Sequence, residues 1–459
     1  MTKRLILNAF SMAAVSHIYH GFWRNPATQA TRFHELEVWV ELAKRLESAH
    51  FDALFLADVL GVDAIYKGSA DTYIEQAVQI PIHDASTIAT ALVAVTQQLG
   101  LVFTSSILQD HPFNFARRVS TLDHLSKGRV GWNIVTSVSE NASHNFGLPG
   151  ITAHDERYRW AEEYMEVVYK LWEGSWDDNA LLNDALNNRY ADPAHVHRIH
   201  HQGPRYQVAG PHLALPSPQR TPVLYQAGSS RAGRAFATRH AEGTFIVCRN
   251  PEGARVLTST MREQLRQAGR DPQDLKFLQG LSFVVGSTEE EAKRKAKELD
   301  EFLSVDGLLA HISRDLGVDL GVLAPDQLLS DVKIEGVQGI IEVFSESFGR
   351  SPTVADLASA YALNTRIVGT PEQIANELER WQAAGVDGIN LMYETTPGSF
   401  IEFIDHVLPV LQQRGLAQQD YGSGTLRQKM FGEEPTLPAR HPARRWHQAF
   451  NSYTCSTDA

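Results

Sequence analysis

Residues 127–137 read KGRVGWNIVTS, and this stretch decides the fold. A glycine turn leads into an apolar run, which becomes polar at Asn133 and then at Thr136 and Ser137. A buried strand with polar residues at its carboxyl end is typical of the active face of a parallel α/β barrel. The stretch therefore predicts a barrel strand that ends in a functional site.

Short apolar runs of the same kind alternate with helical patterns along the whole chain. Alternation of strand and helix indicates a parallel sheet, and eight such units predict a closed (β/α)8 barrel of the TIM type. The predicted strands are Leu5–Ala9, Phe51–Ala57, Leu99–Phe103, Gly128–Val135, Pro222–Gln226, Gly243–Val247, Phe277–Val285 and Asp387–Met392.

Three segments do not follow the alternation. Residues near 174–210 and 303–365 are predicted to be insertions over the carboxyl-terminal face of the strands. The polar tail after Gly415 is interpreted as a surface or subunit arm. We therefore predict a single barrel domain over residues 1–430 and a C-terminal arm over residues 431–459.

Charge and composition exclude several classes of protein. The net charge of −12 argues against nucleic acid as a main partner. The two cysteines, Cys248 and Cys455, provide neither a disulfide framework nor a metal site, which fits a reducing cytoplasm. The N-terminal residues resemble a first strand and not a signal peptide, and no apolar run approaches the roughly 18 residues of a membrane span. A cytoplasmic enzyme without a membrane partner is expected.

An anion site is predicted where a strand meets a helix at residues 226–233, QAGSSRAG. The free N–H groups and the dipole of a helix start attract a phosphate, and Gly228 lets it approach the backbone. The hydroxyls of Ser229 and Ser230 add donors. The alternative is an ordinary serine N-cap without a ligand.

A second candidate for anion binding is HDERY, residues 154–158, at the start of a helix. The first turn can direct Arg157 and Tyr158 at an anion, with His154 beside them. In the alternative interpretation, Glu156 and Arg157 are solvated and Tyr158 belongs to the core.

Asp58, Thr104 and Asn133 lie at or just beyond the ends of predicted strands. In a barrel these ends converge on one pocket, where an amide and a hydroxyl can hydrogen-bond a ligand. Asp58 could instead cap the segment that follows it.

Histidines suggest two further kinds of chemistry. His17 follows the first strand and is the best acid/base candidate, although it could equally be a structural histidine that ties down its segment. The histidines within residues 195–201 could suggest a metal, but no cysteine or closely spaced carboxylate completes a ligand set. A Gly-x-Gly-x-x-Gly fingerprint, a P-loop and a Gly-x-Ser-x-Gly elbow are all missing, so a Rossmann site for NAD is not expected.

Several motifs together resemble one branch of the bacterial-luciferase-like flavin monooxygenases over roughly residues 3–430. That branch includes the nitrilotriacetate, dibenzothiophene-sulfone, dimethyl-sulfide and long-chain-alkane monooxygenases. The motifs are FDALFLAD (51–58), ARRVSTLDHLSKGRVGWNIV (116–135), HDERY (154–158), KLWEGSWDDN (170–179), PSPQRTPVLYQAG (216–228) and TTPGSF (395–400).

The resemblance implies a two-component monooxygenase with a barrel fold. FMN would arrive as FMNH2, by diffusion from a separate NAD(P)H:flavin reductase, and would use O2 through a flavin peroxide to oxygenate or cleave a small organic substrate. A homo-oligomer, either a dimer or a tetramer, is also implied. The residues that the resemblance assigns to the isoalloxazine are Asp58, Thr104 and Asn133, and those that it assigns to the phosphate are Tyr158, Ser229 and Ser230, with His154 nearby.

Three positions depart from the alkane-oxidising members. Ala14 replaces a cysteine, Val138 replaces a histidine and Asp63 replaces an aromatic residue. These changes argue against a long-chain alkane and favour a polar molecule, such as a sulfur compound, an amine or an N-heterocycle. The alternatives are an enzyme that cleaves riboflavin, a flavin-binding protein without turnover, and a metal-dependent barrel hydrolase.

Overall fold

Parallel strands close into an eight-stranded barrel in the computed structural model, which describes residues 4–137, 139–332 and 352–450. Each strand pairs with the next, β6 pairs with β7, and β8 returns to β1, where Ile6 lies opposite Gly388. The strands are β1 (Ile6–Met12), β2 (Ala53–Ala57), β3 (Gly100–Ser106), β4 (Val130–Val135), β5 (Val223–Gln226), β6 (Gly243–Ile246), β7 (Lys276–Val285) and β8 (Gly388–Leu391). The predicted (β/α)8 barrel is confirmed.

The strands are buried along almost their whole length, as expected when helices cover a parallel sheet. The strand β1 continues to Met12, three residues beyond its predicted end, because Ser11 and Met12 still pair with β2. The quoted stretch folds as expected. Lys127 and Gly128 have left-handed backbones that end the preceding helix, and Trp132 is fully buried in β4.

The helices surround the barrel. Among the described residues they are α1 (Leu36–Ser48), α2 (Asp71–Glu75), α3 (Ala85–Val93), α4 (Pro112–Ser126), α5 (Glu140–Asn145), α6 (His154–Tyr169), α7 (Arg231–His240), α8 (Pro251–Gln267), α9 (Glu289–Asp300), α10 (Val305–Leu316), α11 (Val354–Leu363), α12 (Pro371–Ala383), α13 (Gly398–Glu402), α14 (Leu408–Gln413) and α15 (Leu426–Phe431). Within this part of the chain, no helix combines the length and the apolarity that a membrane crossing requires.

The segment 174–210 contains two short antiparallel hairpins, and the second of them contacts α6. The hairpins pair Leu181–Asp184 with Arg189–Ala191 and His201–Gln202 with Gln207–Val208. Glu163 of α6 accepts hydrogen bonds from the backbone of Arg205 and Tyr206, and the indole of Trp160 donates to the hydroxyl of Tyr206 at 2.6 Å.

The segment 303–365 provides α10 and α11, and its residues 333–351 lie outside the described part. It is followed by a short strand, Arg366–Gly369, which pairs with the second half of β7. The described part of this segment contributes one side chain to the cavity described below, Arg314 of α10.

The tail after Gly415, interpreted as a surface or subunit arm, is partly buried within residues 416–450. Leu416, Leu426, Leu437 and His441 are buried, and Arg427 is 1% exposed. The guanidinium of Arg427 pairs with Glu242 at 2.7 Å, and Glu242 also accepts from the backbone N–H of Leu224 in β5. The tail therefore closes the amino-terminal end of the barrel. Its role as a subunit arm stays a prediction, and residues 451–459 lie outside the described part.

Candidate active site

A cavity of about 250 Å³ opens at the carboxyl ends of β2, β3, β4 and β5. Its walls combine apolar side chains with hydroxyl, amide and carboxyl groups. The lining includes Asp58, Val59, Leu60, Thr104, Ser106, Gln109, Ile134, Val135, Thr136, Ser137, Tyr158, Gln226, Gly228 and Arg314. Four predicted site residues are therefore together here: Asp58, Thr104, Tyr158 and Gly228. None of the lining residues comes from segment 174–210.

Asn133 lies directly behind Thr104, which is one of the lining residues. The Asn133 amide donates to Oγ1 of Thr104 at 2.9 Å, and both side chains are buried. Oδ1 of Asn133 and Oε1 of Gln226 are buried oxygens without a hydrogen-bond partner among the described residues. Such oxygens are costly unless a donor reaches them. They are therefore suited to accept N–H groups from a bound molecule.

Asp58 follows β2 and is only partly exposed. Burial raises the pKa of its carboxyl from the ordinary 3.8 to about 7, and nearby Asp84 adds to the effect. The backbone N–H of Ala85 lies 3.5 Å from its Oδ2, a long hydrogen bond that supports the capping alternative only weakly. Near neutral pH this carboxyl can either donate or accept a hydrogen bond.

The start of α7 forms a cradle with Tyr158. Oγ of Ser230 accepts from the backbone of Gly233 at 3.0 Å, so Ser230 is an N-cap, as the alternative interpretation proposed. A Cβ at Gly228 would lie 2.6 Å from the Tyr158 hydroxyl, and one at Gly233 would lie 2.7 Å from it. The phenol therefore projects over the helix start, where backbone N–H groups and the dipole favour an anion.

The Tyr158 hydroxyl stays protonated and can donate. Burial raises the pKa of Tyr158, while hydrogen bonds with Ser230, Gln226 and Thr136 act in the opposite direction. The ring packs beside Phe236 and His154, with centroids 5.7 and 5.2 Å away. This packing keeps the hydroxyl directed at the cradle.

Two predicted phosphate residues lie at the rim of the cradle. Ser229 is exposed, and its carbonyl accepts from Arg234 at 2.6 Å. His154 is half-exposed, hydrogen-bonds Asp155 at 2.9 Å and does not line the cavity.

His17 does not line the cavity, but it is close to Arg314, which does. Burial, followed by the Arg314 cation, lowers the pKa of His17 to about 3. Its ring packs against Phe10, with centroids 4.9 Å apart. The imidazole is thus neutral at ordinary pH, so it is better suited to form hydrogen bonds than to donate a proton as a general acid.

Sequence reasoning missed several lining residues. Gln226 and Thr136 stood inside motifs that were quoted for other reasons, and a polar side chain at a strand end was the available signal. Arg314 gave no signal, because only the packing of α10 brings it to the cavity. Its guanidinium is held by His311 at 2.6 Å, by Asp315 at 2.8 Å and by Gln79.

The histidines of segment 174–210 do not assemble a metal site. His195 and His197 both approach Oδ2 of Asp177 at 3.0 Å. Within the described ranges, no three His, Cys, Asp or Glu side chains are grouped so that they could hold a metal ion.

Comparison with known proteins agrees with this geometry. The family model described as luciferase-like monooxygenase matches residues 18–388. The chain belongs to the luciferase-like monooxygenases. It is therefore a flavin-dependent monooxygenase, and the family that the motifs indicated is confirmed.

Three relatives illustrate the range of the family. The chain is 44% identical to a long-chain alkane monooxygenase of Geobacillus thermodenitrificans strain NG80-2, over 97% of this chain and 98% of that protein. It is 42% identical to a dimethyl-sulfide monooxygenase of Hyphomicrobium sulfonivorans, over 98% and 95%. The crystal structure of a riboflavin lyase with modified FMN and its substrate riboflavin superposes with a TM-score of 0.88, at 38% identity over 97% and 100% of the two chains.

The cavity fits FMN, the flavin that the luciferase-like family implies. The unpartnered oxygens of Asn133 and Gln226 suit ring N–H groups, and the cradle at Gly228 and Tyr158 suits a phosphate. Polar groups for both ends of the molecule therefore occur in one site.

Two of the three positions at which a departure from the alkane-oxidising members is expected, Ala14 and Asp63, lie among the described residues. Ala14 is buried, and Oδ1 of Asp63 accepts from the backbone of Ile65 at 2.8 Å. Val138 lies outside the described residues. The Asp63 carboxylate thus stabilises the local turn, and it is not among the residues that line the cavity.

Proposed function

We propose that the protein is the oxygenating component of a two-component system. FMNH2 arrives by diffusion from a separate NAD(P)H:flavin reductase, and O2 is used on a small polar substrate, such as a sulfur compound, an amine or an N-heterocycle. The observation that carries the proposal is the occurrence, at one site, of buried oxygens without a hydrogen-bond partner among the described residues (Asn133 and Gln226) and an anion cradle. The missing dinucleotide fingerprint supports a separate reductase.

The residues of the cradle bind and orient the flavin. The Tyr158 hydroxyl, the Ser230 side chain and the free N–H groups of α7 hold the phosphate, with Gly228 leaving room for it and Ser229 and His154 at the rim. Asn133 and Gln226 accept hydrogen bonds from the ring. These contacts fix the ring relative to the substrate side of the cavity.

Asp58 and the apolar wall set the polarity around the ring. A protonated Asp58 donates to a ring acceptor, whereas the ionised form accepts from a ring N–H. Val59, Leu60, Ile134 and Val135 limit the access of water. When bound, the reduced flavin supplies the electrons that activate O2. His17, beside Arg314, is proposed to act on the substrate side by hydrogen bonding.

A substrate panel tests this function. Purified protein, FMN, NADH and an added flavin reductase are supplied with sulfides, amines and N-heterocycles, and oxygenated products are identified by mass spectrometry. We expect product only when the reductase is present. Tight NADH binding with hydride transfer in the absence of reductase would contradict the proposal, and flavin binding without any turnover would favour a binding protein.

Flavin cleavage is a second candidate function. The riboflavin lyase that superposes so closely carries riboflavin as its substrate in the crystal. Riboflavin is therefore included in the panel, and loss of its ribityl chain would identify this activity. From the family we also expect a homodimer or homotetramer, which light scattering coupled to size exclusion measures.

A further inference from the structure

A groove rich in arginine runs along α7 on the outside of the barrel. It has a volume of about 760 Å³ and is bordered by α8 and by the tail. We call it the basic groove, and its arginines are Arg231, Arg234, Arg239, Arg270 and Arg440. No carboxylate is among its lining residues. Because Arg231 directly follows Ser230, the groove begins beside the cradle.

The charge of the basic groove is compensated unevenly. Arg270 and Arg440 both lie against Asp274, and Arg239 pairs with Glu162 at 3.3 Å. These pairs lie at the end that is remote from the cradle.

At the other end, no ion pair holds Arg231 or Arg234 within the described part of the chain. Arg234 donates to the carbonyl of Ser229, and the positive charge of Arg231 reaches Asp155 at the start of α6, where it helps to lower the pKa of that carboxyl after the larger effect of His154. Two arginines without an ion pair among the described residues therefore lie next to the cradle, and Asp155 is a carboxylate that Arg231 reaches over a longer distance.

The position of these two arginines matters because the protein as a whole repels the proposed ligand. The net charge is −12, and a phosphate monoester carries about −1.5 to −2 at neutral pH. The Debye length is about 8 Å at physiological ionic strength, so a charge within one turn of the helix start outweighs the more distant acidic surface. A local field of this kind raises association rates by about 10- to 1,000-fold.

We propose that Arg231 and Arg234 form an electrostatic entry track that steers the phosphate of the flavin towards Tyr158 and Gly228. The proposal rests on the proposed function, since the ligand is a flavin phosphate. It concerns the rate of entry and is separate from the contacts that hold the bound phosphate. The rate of flavin entry should therefore depend on the charge of the two arginines and not on the shape of the cavity.

Stopped-flow quenching of oxidised FMN fluorescence tests the track, with riboflavin as the ligand without phosphate. Association rates are measured from about 0.01 M to 1 M salt, over which the Debye length falls from about 30 Å to 3 Å. For the unmodified protein, we expect the FMN rate to fall at least about tenfold and the riboflavin rate to stay constant. The double variant Arg231→Gln/Arg234→Gln should bind FMN at low salt about tenfold more slowly, with little change in its dissociation rate.

The matched control removes the same charge elsewhere. Arg294 and Lys297 are exposed on α9 and lie outside the basic groove, and Arg294→Gln/Lys297→Gln should leave both rates unchanged. The track is refuted by an FMN rate that ignores salt, by equal effects of the two double variants, or by a change confined to dissociation. In those cases FMN still binds and the proposed function stands. If neither flavin binds, the track and the proposed function both fail.

Discussion

Replacing Tyr158 by Phe removes one hydroxyl and leaves the packing intact. The ring still contacts Phe236 and His154, so the fold should not change. The hydroxyl lies over the start of α7, where a Cβ at Gly228 would approach it to 2.6 Å. A hydrogen bond to a charged phosphate contributes about 1.5–3 kcal/mol, which corresponds to a roughly 10- to 150-fold weaker Kd for FMN. Riboflavin has no phosphate, so its Kd should change less than about twofold on the same grounds.

Fluorescence titration with both flavins measures this difference. Tyr421→Phe is the matched control, because that hydroxyl donates to the Phe51 carbonyl at 2.6 Å, away from the cavity. Adding Ser230→Ala should weaken FMN further, but it also removes an N-cap worth about 1 kcal/mol, so the melting temperature is recorded in parallel. An equal loss for FMN and riboflavin, or no loss for either, would refute the assignment of Tyr158 to the phosphate.

Three other changes test separate parts of the site. Gly228→Ala places a methyl group 2.6 Å from the Tyr158 hydroxyl and 2.9 Å from the Gly233 Cα, so FMN binding should weaken at least about tenfold. The control is Gly150→Ala, whose methyl group enters open space, and this variant should bind FMN normally. Similar Kd values for the two variants would contradict the assignment of Gly228 to the phosphate site. His17→Ala should lower the rate of product formation about 2- to 10-fold, the effect of one lost hydrogen bond, and should raise hydrogen peroxide release at unchanged FMN affinity. A lower melting temperature with normal coupling of O2 use to product would instead identify a structural role. The pKa of Asp58 is about 7 in the folded state and 3.8 ordinarily, so the folded state holds this proton more tightly and the free energy of unfolding should fall as pH rises from about 4 to 7. Asp58→Asn should remove that part of the decline, as measured by urea titrations at several pH values. The same pH dependence of stability in the variant and the unmodified protein would contradict the raised pKa.

Most of the fold could be predicted because it depends on local patterns. Apolar runs bounded by glycine and polar residues located the strands to within a few residues, as at Val223–Gln226. Strand ends also indicated Asp58 and Thr104 as pocket residues, since all parallel strands deliver their carboxyl ends to one face.

The errors and omissions concern contacts between distant segments. Arg427 can be buried because its guanidinium forms an ion pair with Glu242. The sequence does not reveal this distant partner, so the polar tail resembles a surface segment. Arg314 reaches the cavity through the docking of α10, which no periodicity specifies. The low pKa of His17 has the same origin, since it depends on burial and on Arg314 together.

The closure of β1 against β8 governs how this protein can be made. One edge of β1 has no partner until β8 (Gly388–Leu391) has been synthesised. The outer edge of β4 is likewise unpaired until β5 has been synthesised. Synthesis proceeds at about 5–20 residues per second, so the open sheet persists for roughly 10–50 s after β4 is complete. Exposed strand edges pair readily with other chains. An unpaired strand edge is therefore present during much of translation, and the amino-terminal end of the barrel is closed only when Leu426 and Arg427 have been synthesised.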